Sequence, residues 1–176
     1  GVLNGGDDTS ASVTFTITVT PVNDEPSFVK GSDDTVLEDS GAYSAPWAGS
    51  ISMGPADEAG QTGSFTITGT TNAALFSVVP SVDGSGGLTF APAADANGFA
   101  DITIELQDDG GVLNGGDDTS ASVTFRITVT DVNDPPVASD ITVPVNESDP
   151  IGTVLGTVPV TDIDVPPDTL TWSILS

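Results

Sequence analysis

From residue 12 to residue 20 the chain alternates without a break: Val13, Phe15, Ile17 and Val19 fall on one face, and serine or threonine occupies the other. A period of two predicts an antiparallel strand buried on one side only. Residues 122–130 repeat the pattern, with Val123, Phe125, Ile127 and Val129 inward and Arg126 outward. Shorter stretches of the same kind carry Phe65 and Ile67, then Ile102, Ile104 and Leu106, and finally Leu170, Trp172 and Ile174. Clusters of Gly, Pro, Asn and Asp separate them, and no 3.6-residue periodicity runs for three turns. The pattern predicts an all-β chain. Strands are expected near 36–37, 48–53, 64–70, 76–79, 88–91, 101–107 and 122–130, the complement of a seven-stranded Greek-key β-sandwich.

The two strongest strands belong to a duplication. GVLNGGDDTSASVTF begins at Gly1 and again at Gly111, and each copy runs on to Val-Asn-Asp, at 22–24 and 132–134. The offset, 111 − 1 = 110 residues, is the length of one sandwich. Tandem repeats are therefore expected. Residues 1–26 supply the last loop and last strand of a preceding repeat, 27–138 a complete repeat, and 139–176 the first three strands of a following one. Pro26 and the pair Pro135 and Pro136 stiffen the boundaries and stop the preceding strands from running on.

Charge narrows the chemistry. Twenty-six acidic residues stand against Lys30 and Arg126 alone, for a formal charge of −24. Such a surface repels nucleic acid and anionic membranes, and no apolar run is long enough to insert into a membrane. The absence of cysteine and histidine removes disulfides, thiolates, the commonest zinc ligand and the commonest general base. No catalytic constellation accompanies the carboxylates, so a non-enzymatic role is expected. Hard oxygen donors in this number point to Ca2+.

Strand parity sorts those donors. If the first strand descends from the top of the sandwich, Glu38, Asp57, Glu58, Asp108, Asp109, Asp117 and Asp118 gather at the top, facing Asn23 and Asp24. Asp95, Asn97, Asp131, Asn133 and Asp134 gather at the bottom, facing Glu147, Asp162 and Asp164 of the next repeat. Each interdomain seam then collects oxygen ligands from two domains and their linker, as a calcium site of six to eight oxygens requires.

The linker Asp-Val-Asn-Asp-Pro-Pro at 131–136 resembles that of cadherin repeats. Val-Asn-Glu-Ser at 145–148, Ile-Gly-Thr-Val at 151–154 and Thr-Asp-Ile-Asp at 161–164 follow in cadherin order. The resemblance implies calcium ligation by Asp131, Asn133, Asp134, Glu147, Asp162 and Asp164. The central repeat departs from the pattern: Pro21 stands where Asp131 stands, Gly-Pro-Ala-Asp-Glu replaces Asp-x-Asp, and Asp-Ala-Asn at 95–97 replaces Asp-Arg-Glu. Fewer or weaker ions are expected at the first seam. The central repeat is similar to the Ig-like and cadherin-like repeats of large bacterial surface proteins. This implies an adhesin or stalk at the bacterial cell surface, with adjacent repeats of the same chain as its immediate partners and a cell-surface or polysaccharide ligand for the whole protein.

Two other functions compete. Trp47 and Trp172 could stack on sugar rings as part of a carbohydrate-binding module, although a tryptophan beside a strand is more often core, Trp172 in its alternating strand above all. Unclosed sheets could instead exchange strands between copies and build a homotypic fibre. The pairs Asn4-Gly5, Asn97-Gly98 and Asn114-Gly115 read as turns.

Overall fold

The computed structural model describes residues 4–153 and 156–164. Its strands are β1 (Ser27–Val29), β2 (Asp34–Leu37), β3 (Tyr43–Pro46), β4 (Gly49–Ser52), β5 (Gly63–Thr70), β6 (Phe76–Val82), β7 (Gly87–Pro92), β8 (Gly98–Asp108), β9 (Val123–Thr130), β10 (Val137–Ala138) and β11 (Val160–Thr161). Helical structure among the described residues is limited to short 3-10 turns at Ala56–Glu58, Ala73–Leu75 and Leu113–Gly115. The chain is all-β.

One sheet has the order β2-β9-β8-β5, and a second has the order β3-β7-β6. The alternating residues of the sequence line the space between them. Ile102 and Ile104 from β8, Phe125, Ile127 and Val129 from β9, Leu88 and Phe90 from β7, and Phe76 and Val82 from β6 form one buried cluster. Arg126 faces outward as the alternation requires. It donates to both carboxylate oxygens of Asp101, at 2.7 and 2.9 Å, and lies 3.9 Å from the centre of the Phe99 ring. That pairing holds the Asp101 carboxyl below its usual range.

β3 and β4 are one strand interrupted at Trp47 and Ala48. Both of those amides donate to the Gly86 carbonyl, at 2.8 and 2.9 Å, so two residues face one in the manner of a β-bulge. The bulge turns Trp47 inward. Its indole N–H donates to the Ser32 carbonyl at 3.1 Å, and its ring lies 4.3 Å from that of Phe125. At 8 % exposure Trp47 belongs to the core. No ring face is free for a sugar, which corrects the carbohydrate reading of that residue; Trp172 lies outside the described residues.

Several strand expectations need adjustment. The first strand is split, β1 pairing antiparallel with β4 and β2 crossing to the other sheet to pair parallel with β9. The second starts at Tyr43, ahead of the expected 48, because Tyr-Ser-Ala-Pro has little apolar alternation and Pro46 is tolerated only on an edge. The largest correction concerns residues 12–20. They form no strand, and Val13, Phe15, Ile17 and Val19 are 77–89 % exposed. A strand of this pattern needs a partner for its amides and a face to cover its side chains, and none is in contact with it among the described residues.

In the segment expected to begin a following repeat, β10 pairs with β11 and with no strand of the sandwich. Both β1–β4 and β10–β11 are antiparallel pairs, but their registers differ: Val137↔Thr161 would fall at positions 27 and 51 at a shift of 110, whereas Ser27 pairs with Ser52 and the β1–β4 register shifts before Val29↔Gly49. The third strand expected there, at 170–174, lies outside the described residues. Asn4-Gly5 and Asn114-Gly115 adopt the left-handed conformation at both residues, as two-residue Asn-Gly turns do.

Candidate cation site at the end of the sandwich

Because β2 and β9 run parallel in register, with Leu37 opposite Thr130, both finish at the same end of the sandwich. The next residue on one side is Glu38 and on the other Asp131. The Glu38 amide continues the ladder to the Thr130 carbonyl at 2.9 Å, while its Oε1 accepts from the Val132 amide at 2.7 Å. This corrects the expected position of Glu38, which closes the bottom of the sandwich rather than the top. The sequence pattern had placed Glu38 near the start of a strand that in fact ends there.

Around this point the linker and the segment after it converge. The Asp134 amide donates to both carboxylate oxygens of Asp164, at 3.2 and 2.9 Å, and the Asp164 amide donates to Asp162 Oδ1 at 3.2 Å. Asn97, from the loop before β8, donates its side-chain N–H to Asp131 Oδ1. Two groups of acids result. In one, carboxylate oxygens of Glu38, Asp131 and Asp164 lie within 4.8 Å of one another; in the other, Asp39, Asp95 and Asp134 do the same. Asp39 and Asp95 both have positive φ, 57° and 52°, a conformation that short polar side chains tolerate and that costs energy elsewhere. Asp39 is a participant that sequence reasoning missed; it follows Glu38 in a turn and has no motif of its own.

The electrostatics of this arrangement are unfavourable as they stand. Glu38 is 3 % exposed and Asp164 is 7 % exposed. Glu38 Oε2, Asp134 Oδ2 and Asp162 Oδ2 are buried without a hydrogen-bond partner. Burial, reinforced by the charges of Asp95, Asp39, Asp164 and Glu38, raises the Asp134 carboxyl above its usual range. Burial also raises Asp164, with Asp162 and Asp131 adding to the effect and the Asp134 amide opposing it. For a raised carboxyl the anion is penalised by folding, so the penalty is present above the raised value and fades as pH falls through it. A cleft of about 470 Å3, lined by Asp95, Asp134, Asp162 and their neighbours, opens beside the acids. Buried anionic oxygens without donors, several carboxylates and adjacent space fit a hard divalent cation.

The top of the sandwich holds a different network. The Asp24 amide donates to Glu58 Oε1 at 2.8 Å, as the Asp134 amide, 110 residues later, donates to Asp164. Position 54, 110 residues before Asp164, is glycine. A Cβ at Gly54 would lie 1.7 Å from Glu58 Oε2, so the Glu58 carboxylate occupies the space a side chain at 54 would need. Asn23 donates to Asp108 Oδ1 at 3.0 Å and to the Asp117 carbonyl at 2.7 Å, and its own Oδ1 accepts from Gln61 at 2.7 Å. Glu58 Oε2, Gln61 Oε1 and Asp108 Oδ2 are buried and unpartnered.

The remaining sequence candidates divide clearly. Asp57 is exposed at the mouth of a cleft it shares with Asn23, Glu58 and Gln61. Asp109 is a loop staple, accepting from the Thr62 amide at 2.9 Å and the Thr62 hydroxyl at 2.8 Å, bonds that lower its pKa. Asp118 accepts from the Thr119 hydroxyl at 2.9 Å. Asn133 is exposed and donates only locally, to the Asp134 carbonyl at 3.2 Å. Glu147 is exposed and is not among the acids that gather at the bottom. Its expected place there rested on the resemblance and on the assumption also made for Glu38, that a glutamate of the first strand lies near the strand's start.

No family model matches this chain, and no curated protein matches it in sequence. Among solved structures, the human desmocollin-1 ectodomain is similar at 21 % identity and a TM-score of 0.41, over 81 % of this chain and 27 % of that one. The chain thus spans about a quarter of that ectodomain's length. No helix among the described residues is long and apolar enough to cross a membrane.

Proposed function

We propose that the chain is a module of tandem cadherin-like repeats in an extracellular, adhesin-type surface protein, stiffened by calcium at the joints between repeats. The observation that carries this reading is the buried, unpartnered Oε2 of Glu38, set among Asp131 and Asp164 and beside Asp39, Asp95 and Asp134. Glu38 and Asp95 come from the sandwich, Asp131 and Asp134 from the linker, and Asp164 from the segment beyond. A divalent cation held by these residues would neutralise repelling charges and tie the three parts together. Without it the same charges favour separation, and the joint bends. The duplicated sequence supports a chain built from equal units. Titration calorimetry should detect calcium binding, and the melting temperature should rise with calcium and fall with chelator. No heat and no shift would remove the basis for the reading.

One observation favours strand exchange as a second reading. Val13, Phe15, Ile17 and Val19 are exposed, and their segment matches the core strand β9 at every position except Thr16, where β9 has Arg126. A sheet from a neighbouring repeat or a second copy would cover them. Concentration-dependent dimers in size-exclusion chromatography would support exchange between copies, and a single monomer peak would count against it.

A further inference from the structure

We infer that the Val-Asn-Asp linker is locked to the sandwich that follows it by the side chain of Asn23, through hydrogen bonds that need no cation, and that the joint hinges on the N-terminal side of that residue. The inference concerns one face of the joint proposed above, but its evidence is independent of calcium. Asn23 sits in a socket built from the top of the sandwich. Its amide group donates to Asp108 Oδ1 and to the Asp117 carbonyl, its Oδ1 accepts from Gln61, and its backbone carbonyl accepts from the Asp117 amide at 3.0 Å. Its neighbours are held the same way. The Asp24 amide reaches Glu58, and Glu25 Oε1 accepts from the Ala121 amide at 2.7 Å.

The socket is shaped for this residue. A Cβ at Gly110 would fall 1.7 Å from Asn23 Oδ1, and one at Gly116 would fall 3.0 Å from Asn23 Cβ. Both glycines let the 109–119 loop close over the linker. Asparagine is needed because one side chain must donate to a carboxylate and a carbonyl while accepting from an amide, which aspartate cannot do. The contacts end abruptly at Asn23: residues 6–20 are irregular and exposed.

Placed 110 residues later, the same linker shows its other face. The Val132 amide goes back to Glu38 of the preceding sandwich, and the side chain of Asp134 joins Asp39 and Asp95. In a joint with both neighbours present, valine and the aspartate side chain read the domain before, whereas asparagine and the aspartate amide read the domain after. The first face is built from crowded carboxylates; the second is held by the hydrogen bonds of Asn23, the Asp24 amide and Glu25, with Glu58 Oε2, Gln61 Oε1 and Asp108 Oδ2 beside them left unpartnered. Loss of cations should therefore free the linker from the domain before it and leave it attached to the domain after it.

Amide hydrogen exchange on the chain in calcium and in chelator tests this. In the wild type, the Asp24 and Asp117 amides should stay protected in both conditions. Asn23→Ala should lower protection of Asp117 by about tenfold in both conditions, the effect of a few lost hydrogen bonds, while Ile104 in β8 stays protected and reports an intact sandwich. Asn23→Asp should show the same loss in chelator, because it sets a second carboxylate against Asp108. Protection of Asp117 that vanishes in wild type on chelation and returns with calcium would overturn the inference. A chain that binds no calcium at all would instead sink the proposed function and leave this result standing.

Discussion

Truncating Phe125 to alanine lowers the stability of the sandwich by about 3–5 kcal/mol, the range for deleting a buried aromatic ring. Phe125 is 2 % exposed at the centre of β9, which is paired on both sides, with β8 and with β2. Its ring supports Trp47 from the opposite sheet at 4.3 Å, so the loss removes an aromatic contact and leaves a cavity between the layers. The sequence around Phe15, which differs over 12–20 only by Thr16 in place of Arg126, supplies an internal control. Phe15 is 80 % exposed, and Phe15→Ala should change unfolding free energy by no more than about 0.5 kcal/mol in the monomer, as at other exposed sites. Denaturant unfolding of the two variants separates them. Equal, large losses would mean that residues 12–20 are packed after all.

Glu38→Gln should reverse sign with calcium. In chelator the variant is expected to melt above the wild type. The amide oxygen still accepts from Val132, one of the charges facing Asp131 and Asp164 is gone, and the new N–H can donate to a neighbouring carboxylate. In calcium the order inverts, because a buried anionic ligand has been lost. Affinity should drop by at least about tenfold, in keeping with the dependence of such sites on ligand charge. Thermal melts of both proteins in both buffers give four values. A variant less stable than wild type in chelator would mean that Glu38 serves as a structural acceptor rather than as a ligand held in readiness.

The strands with an unbroken period of two were legible in the sequence wherever a sheet exists to receive them. β8 and β9 carry the alternating residues of 101–107 and 122–130 inward as expected, because burial on one face imposes that pattern directly. Residues 12–20 show the limit of the same reasoning. Alternation records the environment for which a segment is suited, and the partner strands must still be present. The split of the first strand was not legible, since a switch between sheets at residues 30–33 leaves no periodic signature. That omission misplaced Glu38: parity puts a glutamate at the top or the bottom according to where its strand ends, and only the parallel pairing of β2 with β9 settles this.

The linker was more transparent. Asp131 and Asp134 of the linker lie close to Asp162 and Asp164, at the end of the sandwich to which strand parity assigns all four, because a short stiff segment cannot carry the linker acids far from the end of β9. What the spacing could not give is the contribution of Asp39, or the use of Glu58 in place of a side chain at Gly54. Both depend on turns whose backbone conformation is set by tertiary contacts.

Exchange of the Val132 and Asp134 amides with and without calcium is the most direct measurement of the joint. These two donors hang on the Glu38 and Asp164 carboxylates, so their protection reports whether sandwich, linker and following segment are held as one. Calcium binding at these acids predicts strong protection of both amides in calcium and rapid exchange in chelator, with the core amides of β8 unchanged. Equal protection in the two conditions, or protection lost throughout the sandwich on chelation, would contradict a cation-stiffened joint.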